Sequence, residues 1–546
     1  METRAPEIRA SSPDSVTLEV YRHLFTALAE EMGASLRRAS FSPNIKERRD
    51  YSCALFDARG VAVALGDHMP VHLGAMPMSV EAALREVGAL APGDVVILND
   101  PFRGGTHLPD ITLLSGIFVP KVGKESHPLL LGYVASRAHH SDVGGMSPGS
   151  MPLAREIYQE GLRIPPVLLY EGGARNNELW KTILANVRTP VERAGDLDAQ
   201  LAALHTGEVR LLEMVERRGA PEVLAAMRGL IEYADRLVEA GIRLIPDGCY
   251  QGEDFMEDDG FGSGPVPIRV SMEVSGGRMV LDFAGTAPQT PGGINAVAAI
   301  TSSAVRYVVR CMVEALLETP LPAGGGSMDR VELRLPPHSV VDASPPASVA
   351  AGNVETSQRI TDVLLRAFWK ALPHLAPALS QGTMNNTAVG GLDPRTGGTF
   401  AYYETVGGGM GASPLGSGLS GVHTHMSNSL NTPVEALEHA YPFRISHYSI
   451  RRGTGGRGAH RGGDGLRRDL ELLVDARITL LTERRSHGPP GVAGGGDGAP
   501  GENILIRNGV ETPLPGKATF DALAGDIVSV RSPGGGGWGK GGEPAS

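Results

Sequence analysis

Cysteine is scarce. Only Cys53, Cys249 and Cys311 occur in 546 residues, and no two of them form a CxxC pair. That excludes a cysteine-only metal site and fits a reducing compartment. Aromatic residues are also few, at 5%. No apolar run reaches membrane-spanning length, and the N-terminus lacks the apolar stretch of a signal peptide. A cytoplasmic protein without a membrane partner is expected. No long basic block is present and the net charge is 50 − 61 = −11, so no nucleic-acid partner is expected either. A phosphate loop of the form GxxxxGK followed by Ser or Thr is missing. Gly407-Gly408-Gly409 lacks the spacing and acidic partner of a dinucleotide fingerprint. A self-contained nucleotide site is therefore not supported.

Glycine is abundant at 72 residues and proline at 40, within ordinary hydrophobic (41%) and charged (20%) fractions. This balance predicts many loops and close backbone approaches rather than disorder. The length suggests more than one structural unit. Met1 to Ser11 reads as a frayed end. Cap-type residues at Ser12 to Ser15 then start a helix through about Leu36, with Leu18, Tyr21, Leu24, Phe25, Leu28 and Met32 at helical spacing. A hairpin follows, with its turn at Asp57-Ala58-Arg59-Gly60. The charged run Lys46 to Asp50 before it reads as a solvated loop. Residues 79–90 read as helix, and 176–245 as strongly helical, with Gly195-Asp196-Leu197 at a helix junction. At Pro246-Asp247-Gly248 the texture changes to strands, first around Ser275-Gly276-Gly277-Arg278. The fold class expected is α+β, a large multi-layer mixed assembly. Its N-terminal half is helical and its C-terminal half is made of glycine-rich strands and loops. The division falls at residues 12–245 and 246–540.

Two polar loops carry the chemistry. Each follows a strand-like apolar run, Val95 to Leu98 and Leu129 to Val134. The first contains Gly104-Gly105-Thr106-His107-Leu108-Pro109-Asp110; the second contains His139-His140-Ser141-Asp142-Val143-Gly144-Gly145. Imidazole and carboxylate together suit a divalent cation such as Zn, Mn or Fe. His107, Asp110 and His139 would supply three ligands and leave a position open for water, as a catalytic metal requires. By spacing alone, Asp110 serves equally well as a loop cap. Gly145 to Ser150 reads as a flexible wall or lid. His72, in Val71-His72-Leu73-Gly74, either faces the same cleft or is a structural histidine. His423-x-His425 offers a second metal pair if it lies on a strand. The loops Gly352 to Gln358, Ser380 to Asn386 and Tyr402 to Gly411 suit close packing around a small polar ligand, or tight turns in a sheet assembly. The final Pro533-Gly534-Gly535-Gly536-Gly537-Trp538-Gly539 reads as flexible, unless Trp538 docks it.

These loops in this order resemble the hydantoinase B/oxoprolinase family over about Val16 to Gly539. The markers include Asn44-Ile45-Lys46-Glu47-Arg48, Asn99-Asp100-Pro101, the two His/Asp loops, Ser380 to Asn386 and the terminal glycine run. The family comprises B subunits of ATP-dependent N-methylhydantoinases, the matching part of 5-oxoprolinases and caprolactamases, and subunits of acetone and acetophenone carboxylases. The resemblance implies one divalent metal on His107, Asp110 and His139, with His140 as the alternative third ligand. It also implies a hydantoinase A-type ATPase partner in a hetero-oligomer, so that ATP is used outside this chain. The implied reaction is hydrolysis of a cyclic amide. The partner phosphorylates the amide oxygen, and metal-activated water attacks here, with loss of phosphate and ring opening. Asp142 is then the candidate base or orienter of a ligand histidine. Glu47 and His72 are further catalytic candidates, and Arg48, Asn385 and Asn386 are substrate-binding candidates. Two other readings stay open: a subunit of an ATP-dependent ketone carboxylase, and a scaffold that holds the ATPase and does no chemistry.

Overall fold

The computed structural model describes residues 13–66, 68–119, 128–324, 326 and 328–541. The expected frayed end, Met1 to Ser11, lies outside them. Asp14 caps the first helix, α1 (Ser15–Ala39), by accepting from the Thr17 amide. Tyr21, Phe25, Leu28, Met32 and Leu36 form its buried stripe, whereas Leu24 turns outward. A short helix α2 (Pro43–Lys46) leads into the first sheet.

That sheet is antiparallel throughout. Its strands are β1 (Tyr51–Asp57), β2 (Ala62–Leu65), β3 (Val95–Leu98), β4 (Asp110–Val119), β5 (Leu129–His139), β6 (Val167–Glu171) and β7 (Ala174–Arg175), in the order β2-β1-β5-β4-β3-β6-β7. It lies beneath α1, with α3 (Ala75–Val87) also packed on it. Packing on both faces leaves every residue of β1 buried rather than alternate ones. The helical stretch comprises α4 (Asn177–Ala185), α5 (Pro190–Arg218) and α6 (Ala220–Ile242). Pro190 opens α5 at its first position, where a missing N–H costs nothing. Asp196 lies inside α5 rather than at a junction. Its carboxylate accepts from the Phe41 and Ser42 amides ahead of α2, and it pairs with Arg193.

The second half adds three sheets to two long helices, α7 (Ala298–Leu317) and α8 (Ser357–Ala371). The first has β8 (Gly248–Met256), β9 (Val266–Ser275), β10 (Arg278–Asp282) and β11 (Val331–Arg334), and includes the expected hairpin at Gly276-Gly277. The second joins β12 (Asn386–Asp393) and β13 (Gly398–Glu404) to β16 (Ala476–Leu481) and β19 (Lys517–Ala522). The third joins β14 (Phe443–Arg451), β15 (Gly465–Leu472), β17 (Glu502–Arg507), β18 (Val510–Leu514) and β20 (Ile527–Arg531), beside a short helix α9 (Val434–Ala440). The multi-layer α+β architecture is as expected, but the N-terminal half, expected to be helical, carries the largest of the four sheets among the described residues. The largest hydrophobic core draws residues from Tyr21 through Leu481.

The terminal glycine run is not flexible. Gly534 to Gly537 are buried between other glycine-rich segments. A side-chain carbon would sit 2.0 Å from the Thr454 carbonyl oxygen at Gly534, and 2.1 Å from that of Met410 at Gly535. Backbone amides bond across the segments, as from Gly456 to Gly535 and from Gly537 to Gly496. Trp538 docks the run through its indole N–H to the Ala376 carbonyl. No helix among the described residues is long and apolar enough to cross a membrane.

Candidate metal centre

Asp110 begins β4 and His139 ends β5, and the two residues face each other in the ladder. His107 reaches the same point from the loop before β4. Asn99 shapes that loop: its side-chain amide donates to the Leu108 and Leu162 carbonyls and accepts from the Ile164 amide. Gly105 packs where a side chain would meet the Asp100 carbonyl at 2.6 Å. The Asn-Asp-Pro and Gly-Gly motifs thus build the turn that aims His107.

The three donor atoms form a nearly equilateral triangle. His107 Nε2 lies 3.3 Å from Asp110 Oδ1, His139 Nδ1 lies 3.4 Å from the same oxygen, and the two nitrogens are 3.2 Å apart. Metal–ligand bonds of about 2.0–2.2 Å at angles of about 90–109° put neighbouring ligand atoms about 3.0–3.5 Å apart, so one divalent cation fits this face. His107 Nδ1 faces the Ala350 carbonyl at 3.4 Å, and a carbonyl only accepts. That assigns the proton to Nδ1 and leaves the Nε2 lone pair toward the triangle. All three residues are buried. Burial alone would raise the Asp110 carboxyl, but the surrounding imidazoles hold it well below the usual carboxylate range.

Other groups brace the triangle. The Thr106 hydroxyl donates to Asp110 Oδ2 at 2.6 Å. His72 Nε2 lies 3.4 Å from that oxygen, and its Nδ1 lies 2.8 Å from Ser52 Oγ. Burial depresses the His72 pKa, which keeps the ring neutral. The Asn353 amide nitrogen lies 2.9 Å from His107 Nε2, while its buried Oδ1 has no hydrogen-bond partner. The same nitrogen donates to Asp110 Oδ2 at 3.4 Å, so the amide has its polar end on the triangle. Tyr403 stacks on His139 with ring centroids 4.6 Å apart. Its hydroxyl donates to Asn386 Oδ1, and the Asn386 amide donates to Glu355 Oε1.

The expected site residues divide accordingly. His107, Asp110, His139 and His72 come together. His140 does not: strand alternation turns it the other way, where Nε2 meets Gln200 Oε1 at 2.9 Å. Asp142 is also elsewhere. Its two oxygens accept from the Gly144, Gly149 and Arg188 amides and pair with the Arg188 guanidinium, so its capacity as a base is taken. Those bonds, with the Ser150 hydroxyl on the Val143 amide and Gly144 carbonyl, tie down residues 145–150, which is not the arrangement of a lid. Arg48 is fully buried rather than solvated. It bonds Thr405 Oγ1 and the Tyr403 carbonyl and lies against the Tyr403 ring. Glu47 is half-buried beside it, and no hydrogen bond or ion pair ties it to the triangle. Asn386 sits two contacts from His139, whereas Asn385 turns to Gln381 and Arg485. His423 and His425 lie in a turn, not a strand, and face different partners, Ser427 and Tyr307. Among the described residues, His107, Asp110 and His139 are the one such cluster of potential ligands.

Asn353, Tyr403 and Glu355 lie in loops expected to pack around a small polar ligand or to form tight turns, with no individual role expected of any of them. The stretch 352–356 reads as a glycine-rich loop but forms a π-helical turn that continues into α8. That turn presents Asn353 and Glu355 inward. The available signal was an Asn and a Glu, two apart, before an amphipathic helix.

A model of hydantoinase B/oxoprolinase matches residues 14–541. The chain belongs to the hydantoinase B/oxoprolinase family. It is 39% identical to an uncharacterized protein of Methanocaldococcus jannaschii, over 96% of this chain and 91% of that protein. It is 38% identical to 5-oxoprolinase 1 of Arabidopsis thaliana, over 98% of this chain but 43% of the plant protein. This hydantoinase B-type chain thus spans less than half the length of several relatives. Among solved structures, the ATP-dependent caprolactamase from Pseudomonas jessenii superposes with a TM-score of 0.87 at 29% identity, covering 97% of this chain and 92% of that one. An acetone carboxylase shares the fold, with a TM-score of 0.83 at 18% identity, over 96% of this chain and 76% of that one.

Proposed function

We propose that this chain is the metal-dependent, ring-opening subunit of an ATP-dependent cyclic amidase. The observation that carries the reading is the 3.2–3.4 Å triangle of His107, Asp110 and His139, buried and braced by Thr106, His72, Asn353 and Tyr403. These residues would hold one divalent cation, Zn, Mn or Fe. Bound there, it supplies a Lewis acid that activates water near neutral pH. The amidase reading draws on the oxoprolinase and caprolactamase relatives, at 38% and 29% identity. Because this sequence holds no phosphate loop of the form GxxxxGK followed by Ser or Thr, we assign the ATP step to an A-type ATPase partner.

The partner transfers the γ-phosphoryl group of ATP to the amide oxygen of the ring, releasing ADP. Water adds to the same carbon, and the C–N bond breaks with a proton passing to nitrogen. A second water then displaces phosphate from the resulting acyl phosphate, leaving an open-chain amino carboxylate. Within this chain, Thr106 and His72 hold Asp110 Oδ2, which keeps Oδ1 turned toward the two imidazoles. Tyr403 fixes the plane of His139. Asn353 offers an amide to the ring's polar edge or to the cation. The burial of the triangle excludes bulk water, which protects a hydrolysable phosphorylated intermediate.

The test is co-expression with an A-type ATPase and measurement of ring opening and ADP release over hydantoins, 5-oxoproline, lactams and ketones. The account expects turnover of at least one cyclic amide without bicarbonate, and loss of ring opening by about three orders of magnitude in a His107→Ala complex. ADP release with a ketone only when bicarbonate is present would replace it with the carboxylase reading. Unchanged ring opening in His107→Ala would favour the scaffold.

A further inference from the structure

Three arginines meet at a polar cleft of about 310 Å³ on one side of the first sheet. Arg37 and Arg38 come from the last turn of α1, and Arg49 from the turn that enters β1. Tyr51 and His68 line the cleft with them, and Glu30 is the one described carboxylate on its wall. No side-chain hydrogen bond or ion pair joins Arg37, Arg38 or Arg49 to another described residue. Elsewhere this acidic chain pairs its guanidinium groups extensively, as at Arg188, Arg193, Arg359 and Arg484. Like charges lining one cleft repel, and an anion among them would relieve that repulsion.

Two further features mark the cleft. Arg49 has φ 55°, a left-handed conformation that a residue with a side chain rarely adopts. The turn is held there by the Asp50 amide on the Asn44 carbonyl and the Tyr51 amide on the Arg49 carbonyl. A series of side-chain contacts also runs from the cleft toward the triangle. It shares His68 and Asn428 with a second cavity of about 310 Å³, which is lined by Ser52. Ser52 bonds His72, and His72 lies against Asp110. One residue after Arg49, the Asp50 carbonyl accepts from the His139 amide.

We infer that the cleft of Arg37, Arg38 and Arg49 is an anion site for the phosphoryl group of an activated, phosphate-ester substrate made outside this chain. Guanidinium groups suit this role because they offer paired, charge-assisted donors to phosphate oxygens. The inference rests on the amidase reading for the identity of the ester, but not for the existence of the anion site. A phosphoryl group held here keeps the ester's reacting carbon, one oxygen away from phosphorus, in the cleft and off the triangle, so the site captures the ester before it reacts; the organic part faces the neighbouring cavity lined by Ser52.

The experiment is calorimetric titration of the full chain, before and after chelation of metal, with phenyl phosphate and with inorganic phosphate. Both probes bind wild type, and both still bind after chelation. Affinity falls when KCl rises from about 50 to about 500 mM, because the cleft is open to screening. An Arg37→Gln/Arg38→Gln variant and, separately, Arg49→Gln lose about tenfold or more in affinity at an unchanged thermal midpoint, while Arg37→Lys/Arg38→Lys keeps most of it. Absence of binding to wild type, loss of binding on chelation, or wild-type affinity in both Gln variants would overturn the proposal. So would binding of inorganic phosphate alone, which would mark a product site. If the Gln variants bound both probes normally but no longer co-purified with the A-type ATPase, the cleft would be a protein-docking surface and the proposal would fail. The two readings fail separately: loss of ring opening in the complex leaves the titrations standing, and a silent cleft leaves metal content and turnover untouched.

Discussion

At the residue scale, the site turns on which atom each side chain aims. His139 and His140 are adjacent and chemically equal, yet only His139 faces Asp110, because its strand alternates and Asp110 is its direct ladder partner. That choice was legible in principle from strand parity. The roles of Asn353 and Tyr403 were not, because they arrive from about 250 residues or more away in sequence and depend on packing between sheets. Arg48 reads as solvated from its charged neighbours, yet it is fully buried because Thr405 and the Tyr403 carbonyl satisfy its donors. If Asn353 presents its amide to the cation, Asn353→Ala weakens divalent metal affinity about 10- to 100-fold, as loss of supporting groups around metal sites does. Competition against a chromophoric chelator measures this; an unchanged Kd would remove Asn353 from the site. Glu355 gives a second prediction. Burial, with Glu483 nearby, pushes its carboxyl up to about 8 from an ordinary 4.5. The folded state therefore binds the proton more tightly than the unfolded state. Its contribution to stability is full below about 4.5 and is lost as pH rises toward about 8. Glu355→Gln keeps the acceptor for Asn386 and removes the charge. Chemical denaturation across pH 5 to 9 should show a flatter profile for the variant, with a gain on the order of a few kcal/mol at the alkaline end. Parallel profiles for the two proteins would contradict it.

At the element scale, the strongly periodic pieces were legible: α1, the β1–β2 hairpin, the β9–β10 hairpin and the helical run through α6. Each is specified by local spacing, caps and turn residues. The π-helical turn at 352–356 was not. Its glycine suggested a loop, but Gly352 is there because the backbone of Asn295 passes against it. A side-chain carbon at Gly352 would lie 1.9 Å from the Asn295 carbonyl oxygen. Asn295 cannot yield easily, since its amide bonds the Thr290, Gly292 and Ser348 carbonyls. Gly352→Ala should therefore cost about 2 kcal/mol or more and displace Asn353 as well. Denaturant titration and the chelator competition should report both effects; a wild-type midpoint would contradict the packing account. The terminal glycine run follows the same logic. Composition alone suggested freedom, whereas contact between backbones demands glycine and removes that freedom.

At the scale of the whole molecule, the candidate metal centre draws on both halves of the sequence. Residues 107–139 supply the triangle, and residues near 353 and 403 close over it. That arrangement accounts for one large core running from Tyr21 to Leu481, since a site assembled from both halves needs their mutual position fixed. The net charge of −11 and the arginine cleft belong to this scale as well. The most direct test of the central claim is elemental analysis of the purified full chain beside His107→Ala and Asp110→Ala. The account predicts about one divalent cation per chain in the wild type and almost none in either variant, with the thermal midpoint of the metal-free proteins nearly unchanged. A wild-type chain without stoichiometric metal, or variants that retain it, would contradict the metal centre and the ring-opening role built upon it.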